Sequence, residues 1–184
     1  MSTEKITLPI RYWDQGPTRR ISPTDENKRT LEAAYFFLAQ FTGYSKHYPL
    51  PLLYSYRDKK LYLPMREKFM SLNRGTVYEN LDMSYDMELE DVDKVCDTTV
   101  FYFVYNMANY YHFIYDTLPY LYVFFNERKI HPEMKLLVSP PEGQDDLYPF
   151  VWDCLNMLGI GRDDVIFLDT NVLYNRVCIG SSLT

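Results

Sequence analysis

Asn109, His112 and Asp116 are the residues of this chain whose types and spacing suit proton-transfer chemistry. On a helix turning roughly 100° per residue they fall within a sector of about 60°, so all three share one face. An unperturbed imidazole titrates near neutrality, which suits His112 to the role of general base. A carboxylate one turn further along, Asp116, orients the ring and favours its charged form. Asn109 adds an amide able to hydrogen-bond a substrate hydroxyl. The assignment is reversible at this point: Asp116 as the base with His112 binding substrate fits the same spacing, and so does a pair that merely ties helix to sheet. Metal-dependent hydrolysis through the two is a weaker reading, because no third ligand recurs at helical spacing.

These residues interrupt a stretch that is otherwise apolar and aromatic, Asn109 to Asn126, NYYHFIYDTLPYLYVFFN, entered from the run Val100 to Tyr105. Its apolar side chains cover nearly the whole helical circumference, which predicts a helix buried on all sides with one polar strip. Buried polar groups need partners. The strip must therefore satisfy itself and the backbone, or line a cleft for a polar ligand. Pro119 has no N–H to give the carbonyl of Tyr115, which predicts a kink beyond Asp116.

The elements that would hold this strip follow from the pattern on either side. Val100 to Tyr105 reads as a strand buried on both faces. Lys135 to Val138 reads as a second strand, Leu147 to Leu158 as an amphipathic helix ending at Gly159, and Val165 to Leu168 as a third strand. Short strands at Val172 to Tyr174 and Val177 to Ile179 follow. Alternation of this kind predicts right-handed crossovers and a parallel sheet, with ligands at the carboxyl ends of the strands. The segment from Tyr105 to His112 lies there, which adds Tyr105 and Tyr110 to Asn109 as candidate substrate-binding residues. Neither GxGxxG nor GxxxxGK[ST] occurs, so no nicotinamide cofactor and no P-loop is indicated.

The first hundred residues are less regular. Residues 1 to 21 read as an irregular arm punctuated by Pro9, Gly16 and Pro17. Ser22 looks like an N-cap with Pro23 behind it, and Leu31, Ala34, Tyr35, Leu38 and Phe41 recur at helical spacing, predicting a helix over about 22–42. Residues 52–63 read as a hairpin around Arg57 to Lys60, and Met65 to Leu72 as one or two helical turns. An acidic connector over 76–97 reads as partly extended. The domain expectation is an α+β extension over 1–97 and a Rossmann-like portion over 98–184.

Composition narrows the function classes. At 184 residues the chain is long enough for a core without staples, burying roughly 70% of its extended surface. Eight acids and one base lie between Glu79 and Asp97, a net of −7 within a total of −6, so the remainder is about neutral. That balance argues against a nucleic-acid partner, which needs clustered Lys and Arg, and the acidic run lacks the DxDxDG spacing of a calcium loop. Three cysteines without a CxxC pair fit neither a disulfide framework nor a zinc site. No run approaches the roughly 20 apolar residues of a membrane span, there is no apolar leader and no Asn-x-Ser/Thr sequon. The expectation is a soluble, cytoplasmic polypeptide. Its 18 tyrosines suit sugar or nucleobase surfaces as well as a Tyr-rich core.

Asn109 to Pro119, with LNMLGI (Leu155 to Ile160), VIFLD (Val165 to Asp169) and VCIGSS (Val177 to Ser182), resembles glycosyltransferase family 61 over about residues 100–184. The resemblance implies a GT-B architecture, two Rossmann-like domains facing across a cleft, of which this chain carries the N-terminal, acceptor-side half. It implies a mostly parallel α/β sheet with helices on both faces and inverting transfer from a nucleotide-sugar donor to a glycan or protein acceptor. No essential metal or other cofactor is implied, and a C-terminal half is expected to supply most of the donor site. Family frequency alone puts xylose first among the sugars. In that frame His112 and Asp116 are the catalytic candidates. The competing expectation is a non-catalytic interaction domain that keeps the fold and binds a partner through its tyrosine-rich and acidic surfaces.

Overall fold

The computed structural model describes residues 4–12, 34–42, 51–57, 59–63, 84–89, 92, 94–104, 107–141 and 143–180. The chain divides into two compact units. The first comprises Met1–Arg19, Phe37–Cys96 and Asp169–Asn175, and the second Arg20–Phe36, Asp97–Leu168 and Arg176–Thr184.

The first unit is built from short strands: β1 (Glu4–Tyr12), β2 (Ala34–Phe41, from Phe37 onward), β3 (Leu53–Ser55), β4 (Lys60–Leu63), β5 (Ser84–Leu89) and β6 (Lys94–Cys96). The order is β5-β1-β4-β3-β2, with β1 parallel to β4 and the remaining neighbours antiparallel. The predicted hairpin forms, pairing Leu53 with Tyr62, and Lys59 takes the left-handed conformation its turn requires (φ 52°). Two expectations are overturned. The arm over 1–21 is a strand from Glu4 to Tyr12, where Pro9 was read as punctuation although the Ile6, Leu8, Ile10 alternation carries the strand period. The helix over 22–42 is replaced by β2 from Ala34 to Phe41; residues 22–33 lie outside the described residues, as does Met65 to Leu72. Tyr35, Phe36, Phe37 and Phe41 favour a pleated surface, and Phe37, Ala39 and Phe41 are buried while Leu38 between them is exposed. Gln40, also buried, donates to the Thr170 carbonyl at 3.0 Å and accepts from the Tyr56 hydroxyl at 3.0 Å. That pairing is what permits an amide in the sheet.

The second unit alternates strand and helix. β7 (Val100–Tyr102) leads into a composite helical segment: α1 (Tyr110–His112), a π turn over Phe113–Thr117, a 3-10 turn over Leu118–Tyr120 and α2 (Leu121–Arg128). Then come β8 (Lys135–Val138), α3 (Pro149–Met157), β9 (Val165–Phe167) and β10 (Val172–Gly180), whose residues from Arg176 belong here. The two short C-terminal strands expected from sequence are thus one. The order is β10-β7-β8-β9 and every pairing is parallel. Taken whole, the sheet is mixed, mostly parallel and accompanied by few helices, compatible with the Rossmann-like expectation. Val100 to Val104 are each no more than 1% exposed, as expected of a strand buried on both faces.

Both helices pack on one face. Phe101, Phe103, Leu136, Val138 and Cys178 form a single cluster with Phe113, Leu121, Val123 and Phe124 of the first helical segment and Val151, Trp152 and Leu155 of α3. Helices on both faces were expected, and among the described residues none covers the second. The reason is topological: β7, β8 and β9 follow one another in one direction, so two right-handed crossovers land on the same side. The link from β9 to β10 spans only Leu168 to Asn171 and carries no helix. Among the described residues no helix is long and apolar enough to cross a membrane.

Two contacts fix this unit. At the end of β10, a Cβ built on Gly180 would meet Phe101 Cζ at 2.9 Å and Val123 side-chain atoms at 3.1 and 3.2 Å. Only a residue without a side chain lets α2 approach the sheet there. At the start of β9, Asp164 accepts from the Gly161 N–H at 2.9 Å and from the Arg128 guanidinium at the end of α2. Burial pushes the Asp164 carboxyl up, but the Gly161 and Arg128 hydrogen bonds outweigh it and hold it below its ordinary value of 3.8.

Gly180→Ala is expected to destabilise the protein by about 1–3 kcal/mol through overpacking, read as a lower denaturation midpoint in urea. For Asp164→Asn the sign follows from the depressed folded-state pKa. The carboxylate's contribution is present above the unfolded value of 3.8 and is lost as pH falls through the lower folded value. The gap in Tm between wild type and Asp164→Asn should stay constant near neutrality and narrow only in the most acidic part of a pH series.

Candidate functional site

The helical segment that follows β7 begins beyond the strand's carboxyl end, the end at which open α/β sheets bind ligands. β8 and β9 lie to one side of β7 and β10 to the other. Asn109 starts the segment. Its backbone is extended (φ −117°, ψ 120°), its carbonyl accepts from the Phe113 N–H at 2.8 Å, and its Oδ1 accepts from the His112 N–H at 3.3 Å. Asn109 is thus an N-cap, a role its short polar side chain suits.

His112 and Asp116 meet. Nδ1 of the imidazole lies 2.7 Å from Asp116 Oδ2, with the two side chains 32% and 43% exposed. An ionised carboxylate only accepts, so the proton of this bond sits on Nδ1. In the neutral ring Nε2 then carries the lone pair, available to take a proton from a substrate hydroxyl. Both residues lie on the same helical segment, so their bond ties neither helix to sheet nor one element to another. The reading of the pair as a helix-to-sheet tie therefore does not describe this geometry.

Between them the helix changes hydrogen-bond register. The Leu118 N–H reaches five residues back to the Phe113 carbonyl, and the turn then tightens to 3-10 geometry through Pro119. The physical cause is the missing N–H of Pro119, which leaves the Tyr115 carbonyl without its usual donor. The irregularity was expected beyond Asp116; it begins earlier, at Phe113, and includes Asp116. Single π turns inside helices recur at functional sites because they re-aim side chains.

The expectation of a helix buried on all sides but for one polar strip is also corrected. Tyr110, Tyr111, Tyr115 and Tyr122 are each more than half exposed, while Phe113, Leu121, Val123 and Phe124 face the core. Tyrosine tolerates this because its ring can pack along one edge with its hydroxyl in water. Tyr110 packs edge-on against Phe150 of α3, centroids 5.4 Å apart, and Tyr111 lies edge-on to His112 at 5.6 Å. Tyr105 lies outside the described residues. Among the candidates, His112 and Asp116 are brought together, Asn109 stands one turn away with its oxygen engaged in the cap, and Tyr110 borders them. The pattern missed Tyr111 and Tyr115; their signal was the four-residue spacing, the same that links His112 to Asp116.

A second polar cluster lies at the start of α3. The Trp152 indole N–H donates to Asp146 Oδ1 at 2.9 Å, Arg162 donates to Asp146 Oδ2 at 2.6 Å, and the Arg162 guanidinium lies 4.4 Å from the centre of the Trp152 ring. The Arg162 and Trp152 hydrogen bonds hold the Asp146 carboxyl below its ordinary range. A shallow groove of about 370 Å³ runs beside this cluster, past Pro149, Asp153 and Asn156. Its one cation and Asp146 are spent on each other, so the cluster reads as a tie between the loop and α3. Among the described residues no group of three His, Cys, Asp or Glu side chains converges as a metal site would require.

Compared with protein-family models, curated proteins and solved structures, the chain matches none.

Partly exposed ion pairs contribute little to stability. His112→Ala and Asp116→Ala are each expected to change unfolding free energy by no more than about 0.5 kcal/mol, with a coupling below about 1 kcal/mol in a double-mutant cycle. A coupling of several kcal/mol would make the pair structural.

Proposed function

We propose that the chain is the acceptor-side portion of an inverting glycosyltransferase that uses a nucleotide-sugar donor, with one Rossmann-like half of a GT-B architecture. The observation that carries this reading is the 2.7 Å His112–Asp116 contact on the helical segment that follows the carboxyl end of β7. The resemblance of Asn109 to Pro119 to family 61 gives that contact a reaction.

Inverting transfer is a single displacement at the anomeric carbon. His112 Nε2 takes the proton of the acceptor hydroxyl as its oxygen forms the new bond to that carbon. The bond from the same carbon to the nucleoside diphosphate breaks on the opposite face, and the diphosphate leaves with the electron pair. Asp116 holds the ring through Nδ1 and stabilises the imidazolium that develops. Donor diphosphate needs cationic groups, and the segment from Thr98 to Asn126 contains no Lys or Arg. That supports the expectation, from the same resemblance, that a second half supplies most of the donor site.

The test is transfer from a panel of nucleotide sugars by the complete enzyme. His112→Ala is expected to lower kcat by about 10²–10⁴, the usual contribution of a general base, while Asp116→Asn lowers it less. Undiminished turnover in His112→Ala would sink the assignment. Absence of transfer from any donor would leave the interaction-domain reading in its place.

A further inference from the structure

Three large aromatic side chains beside the His112–Asp116 pair stand in solvent: Tyr110 is 61% exposed, Tyr111 62% and Tyr115 59%. Burying such rings is worth about 1.5–3 kcal/mol each, and a contiguous exposed patch of them marks a contact surface. Tyr111 and Tyr115 are neighbours, with centroids 4.5 Å apart and planes inclined at 35°. They sit four residues apart, as do His112 and Asp116, so the helical segment carries two adjacent stripes, one aromatic and one of His and Asp. The edge contact of Tyr111 with His112 joins the stripes. Tyr110 is braced from α3 by Phe150, which in turn stacks on Tyr148 at 5.7 Å with planes 11° apart. The rings stand at the carboxyl ends of β7 and β8, where both helices begin.

We propose that Tyr111 and Tyr115 form a stacking shelf for an uncharged sugar ring, the acceptor, whose rim hydroxyl is thereby presented to His112 Nε2. The proposal rests on the glycosyltransferase reading and assigns its acceptor subsite to named residues. Charge decides which ligand stacks there. Nucleotides also stack on tyrosine, but their phosphates need cations; no Lys or Arg occurs from Thr98 to Asn126, and Asp116 adds a negative charge. A neutral sugar meets no such cost. Its C–H face lies on the rings, its hydroxyls reach the phenols and the imidazole, and the braced aromatic side chains lose little rotamer freedom on binding.

The experiment is isothermal titration of the full chain with xylohexaose, with cellohexaose and with UDP. Variants are Tyr111→Ala, Tyr115→Ala and Tyr111→Phe, each checked for an unchanged Tm. At least one oligosaccharide should bind wild type, and each Tyr→Ala change should weaken it about tenfold, equivalent to about 1.4 kcal/mol. Tyr111→Phe, which keeps the ring and loses only the hydroxyl, should weaken binding less than Tyr111→Ala does. Three outcomes overturn the shelf: neither oligosaccharide binds at concentrations up to about 10 mM, binding is indifferent to both tyrosines, or UDP is the ligand whose affinity falls with Tyr111→Ala. Failure here and failure of the reaction are separable. A lost shelf with His112-dependent transfer intact leaves the transferase standing, whereas tyrosine-dependent glycan binding without transfer leaves a sugar-binding domain.

Discussion

A strand with no exposed face has only its ends to offer for polar chemistry. β7 is such a strand: Val100 to Val104 present nothing to solvent, so the chain leaves the core before it can carry groups that need water or ligand. The second unit follows from that constraint. β8 and β10 flank β7, the composite helix and α3 cover its Phe101 and Phe103 side, and Gly180 supplies a position where helix and sheet approach without an intervening side chain. Asn109, His112 and Asp116 lie on the first turns after the exit. Their position is thus a product of core packing: the exposed turns begin only past the buried strand and the buried Met107.

Within the helical segment a backbone defect does what a side chain cannot. Pro119 deprives the Tyr115 carbonyl of a donor, and the hydrogen-bond ladder compensates upstream through the Leu118 to Phe113 bond. The core-facing residues tolerate the change because Phe113 and Thr117 stay buried on either side of the wide turn. The outward-facing residues use it. His112 lies before the register change and Asp116 within it, yet their hydrogen bond survives at 2.7 Å.

How much of this is legible in the sequence depends on whether a pattern is decided locally. Lys135 to Val138 emerges with the boundaries its apolar run suggests, and the hairpin around Arg57 to Lys60 forms because turn chemistry is local. Ala34 to Phe41 went the other way: Ala34, Tyr35, Leu38 and Phe41 fit a helical period, while the aromatic content and the partner strand β3 favour a pleat. Pairing partners distant in sequence settled that competition, and no window of the chain contains them. The spacing of His112 and Asp116 was readable for the same local reason. The outward turn of Tyr111 and Tyr115 was not, since composition does not say which rings the core leaves out, and a helical wheel drawn at constant pitch fails where the pitch changes.

A π turn holds one residue more than an α-helix spanning the same axial distance. Among the described residues, Phe113 to Thr117 is a stretch that takes up one residue without lengthening the helix. Deleting Ile114 or Tyr115 would bring His112 and Asp116 to three-residue spacing and change how the carboxylate meets the ring, while the buried Phe113 and Thr117 would turn relative to the core. The surplus residue therefore couples the length of the chain to the site and to the core at once.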